Sequence, residues 1–236
     1  LQRTSKALRN MPKRDTMRAE RPIKAVIFDL DGTLIDSMGI WYKIDREFLR
    51  ENGVTEPPED ISERMKPLTV EEAAELFIKE FRLPLTNEQV TARIEEMVWE
   101  EYAQRIALKP YVGEILELLR EKRIPCCIAT ATYRSLAEAV LERHGIRERF
   151  EFILTDSEFP MGKCRPDIFL GAASRLGAAP EETLVIEDAL HCIETASAAG
   201  FVTAAVFDEA SAAEKDAIRA AADYYFADLR GAMSLF

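Results

Sequence analysis

From Val112 onward two kinds of hydrophobic spacing alternate along the chain. Val112, Ile115, Leu116, Leu118 and Leu119 recur at helical intervals and predict a helix over about 112–122. "IPCCIAT" (124–130) is instead a short unbroken apolar run, the pattern of a strand buried on both faces. A helix over 134–144 closed by Gly145 follows, then a short strand at 151–154. Pro166 opens a helix that runs to Leu176, with Gly177 as its stop. "TLVIE" (183–187), a helix over 190–199, "FVTAAVF" (201–207), an Ala-rich helix and "YYF" complete the series. Together with "VIF" at 26–28, this strand–helix alternation predicts an α/β fold. Its core is a doubly wound parallel sheet, Rossmann-like, with helices on both faces.

Residues 38–106 interrupt that rhythm and read as helix only. Trp41, Ile44, Phe48 and Leu49 share one stripe. Thr69–Glu72 and Thr86–Gln89 have the spacing of capping boxes, and the second start leads into Val90, Ile94, Val98 and Ile106 on one face. "SERMKPL" (62–68) reads as a loop between the first two of these helices. The expected organisation is therefore a core of 23–37 with 107–236 and a small α-helical cap of 38–106, hinged near 37 and 107. Residues 1–22 read as a tail or an over-called start, with an organelle transit peptide as the other reading.

Composition narrows the function classes. Of 236 residues, 47% are hydrophobic and 31% charged, as expected for a globular protein. The net charge of −11 argues against a nucleic-acid partner, which calls for a basic surface. Residues 1–22 carry seven Lys/Arg against Asp15 and Glu20, so the acidity belongs to the rest. No apolar run reaches membrane-spanning length. Cys126, Cys127, Cys164 and Cys192 form no Cys-x-x-Cys pair, and His144 and His191 are the only histidines, a poor zinc set. Reduced thiols in a cytoplasmic protein, monomer or homodimer, are the expectation.

Polar residues gather where the strands end. Asp29 and Asp31 follow the first strand, Thr130 ends the second, Lys163 precedes the Pro166 helix, and Glu187–Asp188 end "LVIED". In a parallel sheet these ends share one edge, where ligands bind. Crowded carboxylates repel one another unless a hard cation such as Mg²⁺ joins them. A lysine and a hydroxyl opposite suit a phosphate. The constellation points to metal-assisted phosphoryl chemistry.

"DLDGT", Thr130 after a strand, "GKCRPDIF" and "VIED" resemble the four motifs of the haloacid dehalogenase superfamily, in order over about 23–230. The helical insert after the first motif is similar to that family's α-helical cap. The resemblance implies a Mg²⁺-dependent phosphatase of a small phosphorylated metabolite, sugar- or polyol-phosphate-like. It makes Asp29 the nucleophile that becomes aspartyl-phosphate and Asp31 the general acid and base. Asp29, the Asp31 backbone carbonyl and Asp188 would hold Mg²⁺, with Glu187 in support. Thr130 and Lys163 would bind the phosphoryl oxygens, Gly32 would permit the tight turn, and Thr33 would orient Asp31. Thr132 reads as a bystander, and Asp36 as either a hinge cap or a site-lining residue.

Cap residues Arg64, Lys66 and Trp41 are the specificity candidates. The alternative enzyme is a β-phosphoglucomutase-like phosphotransferase, although such relatives carry His where this chain has Trp41. A non-catalytic binding protein is the minor alternative. Dehalogenation and phosphonate cleavage are disfavoured; dehalogenating relatives lack an acid at the Asp31 position. The chain departs from the pattern at Cys164, where Pro is usual, and at Ala189 and Cys192, where Ser and Gly are common. These changes remove no reacting group and leave the substrate open.

Overall fold

The structure, a computed structural model, describes residues 22–65, 70–159 and 162–236. Six parallel strands form one sheet: β1 (Ala25–Phe28), β2 (Cys126–Thr130), β3 (Ile153–Thr155), β4 (Thr183–Glu187), β5 (Val202–Val206) and β6 (Tyr224–Phe226). Their order is β3-β2-β1-β4-β5-β6, the doubly wound arrangement expected from the alternation. β1, β2, β4 and β5 are buried along their whole length, which explains why they read as apolar runs without a polar face. The edge strand β6 is only half-buried.

The chain divides into two compact units. One holds the described residues up to Asp36 together with Ala107–Phe236, and the other is Ser37–Ile106. In the first, α5 (Val112–Lys122), α6 (Arg134–Arg143), α7 (Asp167–Leu176), α8 (Leu190–Ala198) and α9 (Lys215–Ala221) alternate with the strands, and α10 (Leu229–Ala232) follows β6. Gly177, at φ 74°, ends α7 in the left-handed conformation its position calls for. On one face of the sheet Ile27, Cys127, Leu154 and Val185 meet Ile168 and Phe169 of α7 and Cys192 and Ala196 of α8. Phe201 fills the same cluster, its ring 6.1 Å from that of Phe169.

The second unit is helical: α1 (Ile40–Glu51), α2 (Ile61–Met65), α3 (Val70–Phe81) and α4 (Asn87–Glu100), the last running into a π-turn over Glu101–Arg105. Phe48 of α1 stacks on Phe77 of α3 with ring centres 5.6 Å apart. Thr86 caps α4 with both hydrogen bonds of the expected box: Gln89 N–H donates to its hydroxyl, and Thr86 N–H donates to the Gln89 side chain. Thr69 of the other box, and Lys66, lie outside the described residues.

Three expectations are corrected. Residues 62–65 are not loop but part of α2, because Ile61 and Met65, four apart, both bury against the unit. The Ala-rich segment opens as a 3₁₀ turn over Glu209–Glu214, capped by the Asp208 side chain, before α9 begins. The strand expected at 151–154 lies at Ile153–Thr155, where Thr155 pairs with Thr130 of β2. Among the described residues no helix is long and apolar enough to cross a membrane.

Asp45 of α1 is 4% exposed, and burial pushes its carboxyl up to about 6, with the Ser62 hydroxyl acting in the opposite sense. A folded-state value above the ordinary 3.8 means that folding favours the neutral acid. That contribution is complete below the ordinary value and is lost as pH rises through about 6. Asp45→Asn therefore raises Tm in mildly alkaline buffer and leaves it unchanged in acid below the ordinary value. Thermal unfolding in both buffers checks this, and an alkaline Tm at or below the wild-type value counts against it.

Candidate active site

Parallel pairing brings the carboxyl ends of β1, β2 and β4 together, with β1 between the other two. Phe28 is level with Ile186 and Ile128, and Asp29 N–H donates to the Ile186 carbonyl at 2.9 Å. Asp29 thus leaves β1 beside Glu187. Asp31 lies two residues on, before Gly32 turns the chain at φ 82°, a conformation that favours glycine. Lys163 arrives from a separate turn, Gly162–Cys164, just ahead of α7.

Lys163 is the hub of the cluster. Its ammonium donates to Asp29 Oδ1 and, at 2.7 Å, to Glu187 Oε1. Lys163, Asp29 and Glu187 are 7%, 6% and 1% exposed, so the ion pairs sit in a site shielded from water. The second oxygen of Glu187 accepts from Asp188 N–H at 3.1 Å and Ala189 N–H at 3.3 Å, which fixes the entry to α8. Asp29 Oδ2 is buried without a hydrogen-bond partner.

Among the protein groups, burial raises the Asp29 carboxyl well above the ordinary carboxylate range, Glu187 adds to the rise, and Lys163 opposes it. Burial also lifts Asp188 to about 7, with Glu187 and Asp208 adding. For Lys163, burial disfavours the ammonium, but Asp29 and Glu187 outweigh it and hold the group charged.

One carboxylate oxygen each from Asp29, Glu187 and Asp188 lies within 4.8 Å of the others. Three carboxylates against one ammonium leave two negative charges uncompensated when all are ionised, the charge one divalent cation cancels. An all-oxygen donor set of this kind suits a hard cation, and the unpartnered Asp29 Oδ2 is an available ligand atom.

The threonines are arranged differently from expectation. Thr132, read as a bystander, donates to Asp31 Oδ2 at 2.6 Å, whereas the Thr130 hydroxyl reaches the same oxygen at 3.4 Å and accepts from Thr132 N–H at 3.0 Å. The Thr33 hydroxyl is fully buried without a partner, so it does not orient Asp31. Ser211, which donates to Asp188 Oδ2 at 3.2 Å, was also missed, because it lies inside the 3₁₀ turn beyond β5 and not at the strand end. The Asp36 carboxylate is exposed, and the N-cap of α1 is Gly39, with no side-chain cap bond.

In the helical unit, Arg64 donates through both terminal nitrogens to the Glu80 carboxylate, one bond being 2.9 Å. Trp41 lies in the first turn of α1.

A parallel sheet in this order, a carboxylate and lysine cluster at its carboxyl edge and a helical excursion after β1 together define a hydrolase class. A model of the haloacid dehalogenase-like hydrolases matches residues 23–200, and the chain belongs to that family. It is an enzyme, a hydrolase of that family. Over 178 residues it is 28% identical to the phosphorylated carbohydrates phosphatase of Thermotoga maritima, covering 75% of this chain and 82% of that one. It is 30% identical over 188 residues to the N-acetylmuramic acid 6-phosphate phosphatase of Pseudomonas aeruginosa, covering 78% and 81%. A Thermotoga maritima crystal structure, proposed to be a beta-phosphoglucomutase, superposes with a TM-score of 0.80 at 25% identity, covering 90% of this chain and 97% of that one.

The turn that delivers Lys163 depends on Gly162, at φ 48°. A Cβ there would meet Asp156 Oδ2 at 2.4 Å and Oδ1 at 2.8 Å. Gly162→Ala forces either that carboxylate or the lysine to move, and we expect turnover to fall roughly 10- to 100-fold. Steady-state kinetics with a chromogenic phosphomonoester, beside a Tm measurement, reads this. Wild-type turnover in the variant would show that the turn tolerates the shift.

Proposed function

We propose that the chain is a Mg²⁺-dependent phosphatase that hydrolyses a small phosphorylated metabolite, of the sugar- or polyol-phosphate kind, through an aspartyl-phosphate on Asp29. The observation that carries this reading is the buried, unpartnered Asp29 Oδ2 beside a lysine and two further carboxylates. Asp29 attacks phosphorus and the bond to the leaving oxygen breaks, while Asp31 passes a proton to that oxygen. Asp31 then takes a proton from water, which attacks the phosphoryl group and releases Asp29. Thr132 holds the Asp31 carboxyl in place for both transfers.

Asp29, Asp188 and the Asp31 backbone carbonyl would hold Mg²⁺, with Glu187 steadying Lys163 at their side. Bound there, the cation screens the repulsion between a carboxylate and a phosphate monoester. Lys163 and Thr130 bind phosphoryl oxygens, and Lys163 restrains the charge of the nucleophile. The relatives named for phosphorylated carbohydrates and for N-acetylmuramic acid 6-phosphate support a small-molecule substrate. Selection among metabolites is assigned to the cap, with Arg64, Lys66 and Trp41 as candidates. Arg64 is held by a partly exposed two-bond pair with Glu80, so an anionic group would engage it by displacing that carboxylate.

Asp29→Asn should lower phosphate release from p-nitrophenyl phosphate by at least about a thousandfold, and a chelator should abolish it until Mg²⁺ is restored. Full activity in Asp29→Asn, or without a divalent cation, overturns the mechanism. Conversion of β-glucose 1-phosphate to the 6-phosphate would place the chain with the phosphotransferases instead.

A further inference from the structure

β5 ends at the same sheet edge as β1, β2 and β4, so the turn after it reaches the carboxylate cluster from the β4 side. That turn is built around a buried acid. Asp208 is 3% exposed, accepts the Lys109 ammonium at 2.5 Å on Oδ2, and caps Ala210 N–H at 2.8 Å with Oδ1. Its backbone carbonyl accepts Ser211 N–H at 3.2 Å. Lys109 is itself fixed, because its backbone N–H donates to the Leu34 carbonyl at 2.9 Å. Ser211, held at the end of this scaffold, donates its hydroxyl to Asp188 Oδ2 at 3.2 Å.

The choice of partner carries a consequence. A carboxylate rotates softly about its terminal torsion, so it needs a hydrogen bond to present one fixed face. A cation would supply that bond but would also neutralise Asp188. Here Lys109 is paired with Asp208, Lys163 donates to Asp29 and Glu187, and a neutral hydroxyl holds Asp188. We propose that Ser211 is a positioning residue for Asp188: it fixes the carboxylate's rotation while leaving its charge for a divalent cation, and the Lys109–Asp208 pair anchors it. The assignment rests on the metal-site reading above.

The test measures Mn²⁺ binding directly, by the electron paramagnetic resonance signal of the free ion, on the full chain without substrate. Wild type, Ser211→Ala, Ser211→Thr and Asp188→Asn are compared. Loss of such an orienting partner weakens metal affinity by roughly 10- to 100-fold, and we expect Ser211→Ala to lose at least about tenfold. Ser211→Thr, which keeps the hydroxyl, should recover most of it. In turnover assays the Ser211→Ala defect should show as a raised Mg²⁺ requirement, with kcat restored at saturating Mg²⁺. Wild-type Mn²⁺ affinity in Ser211→Ala overturns the proposal. If Asp188→Asn also binds as wild type, the metal-site reading falls with it; if only Asp188→Asn is impaired, that reading stands and Ser211 alone is dismissed.

Discussion

A lysine ammonium held almost entirely out of water sets the terms for the rest of this molecule. Lys163 is tolerable in that position because Asp29 and Glu187 meet it, and its charge in turn offsets theirs. Removing one member of such a group leaves an uncompensated buried charge, which generally costs about 3–5 kcal/mol. The three come from the end of β1, the end of β4 and an irregular turn before α7, so electrostatics dictates how those pieces meet. Glu187 extends the constraint by binding the first two N–H groups that follow it, which aims the chain into α8. The site is thus a condition of the local fold as well as its product.

Most of that arrangement was legible in the sequence, for identifiable reasons. A strand buried on both faces has no polar positions to tolerate, so "VIF", "CCIAT" and "TLVIE" stand out from the amphipathic helices between them. Parallel order then requires the polar residue that ends or follows each run to reach one edge, which gathers Asp29, Thr130, Glu187 and Asp188 there. Lys163 was legible through its neighbours in the motif rather than through periodicity.

What escaped has equally physical causes. Thr132 and Thr130 compete for the same Asp31 oxygen, and the winner depends on how the chain turns after β2, which no spacing rule encodes. α2 has too few residues for a helical period, so only the burial of Ile61 and Met65 reveals it. Arg64 looked like a free charge in a loop because its partner Glu80 lies in another helix. Ser211 and Asp208 follow a strand as Asp29 does, but an acid and a serine in an Ala-rich stretch carry no signature of their own.

The strand order has a consequence for how the chain comes to exist. β1, which carries Asp29, leaves the ribosome first among the strands, yet its two sheet neighbours are β2 and β4. The entire helical unit, Ser37–Ile106, emerges before either of them. During synthesis, then, a strand with two bare edges must wait through the production of that unit before it can pair. Exposed apolar strands of this kind are prone to associate with other chains. The four local helices are the part of the protein able to form meanwhile, since their contacts are close in sequence. The insertion therefore makes the strand that ends at Asp29 the earliest made of the six described strands and among the latest to be sheltered.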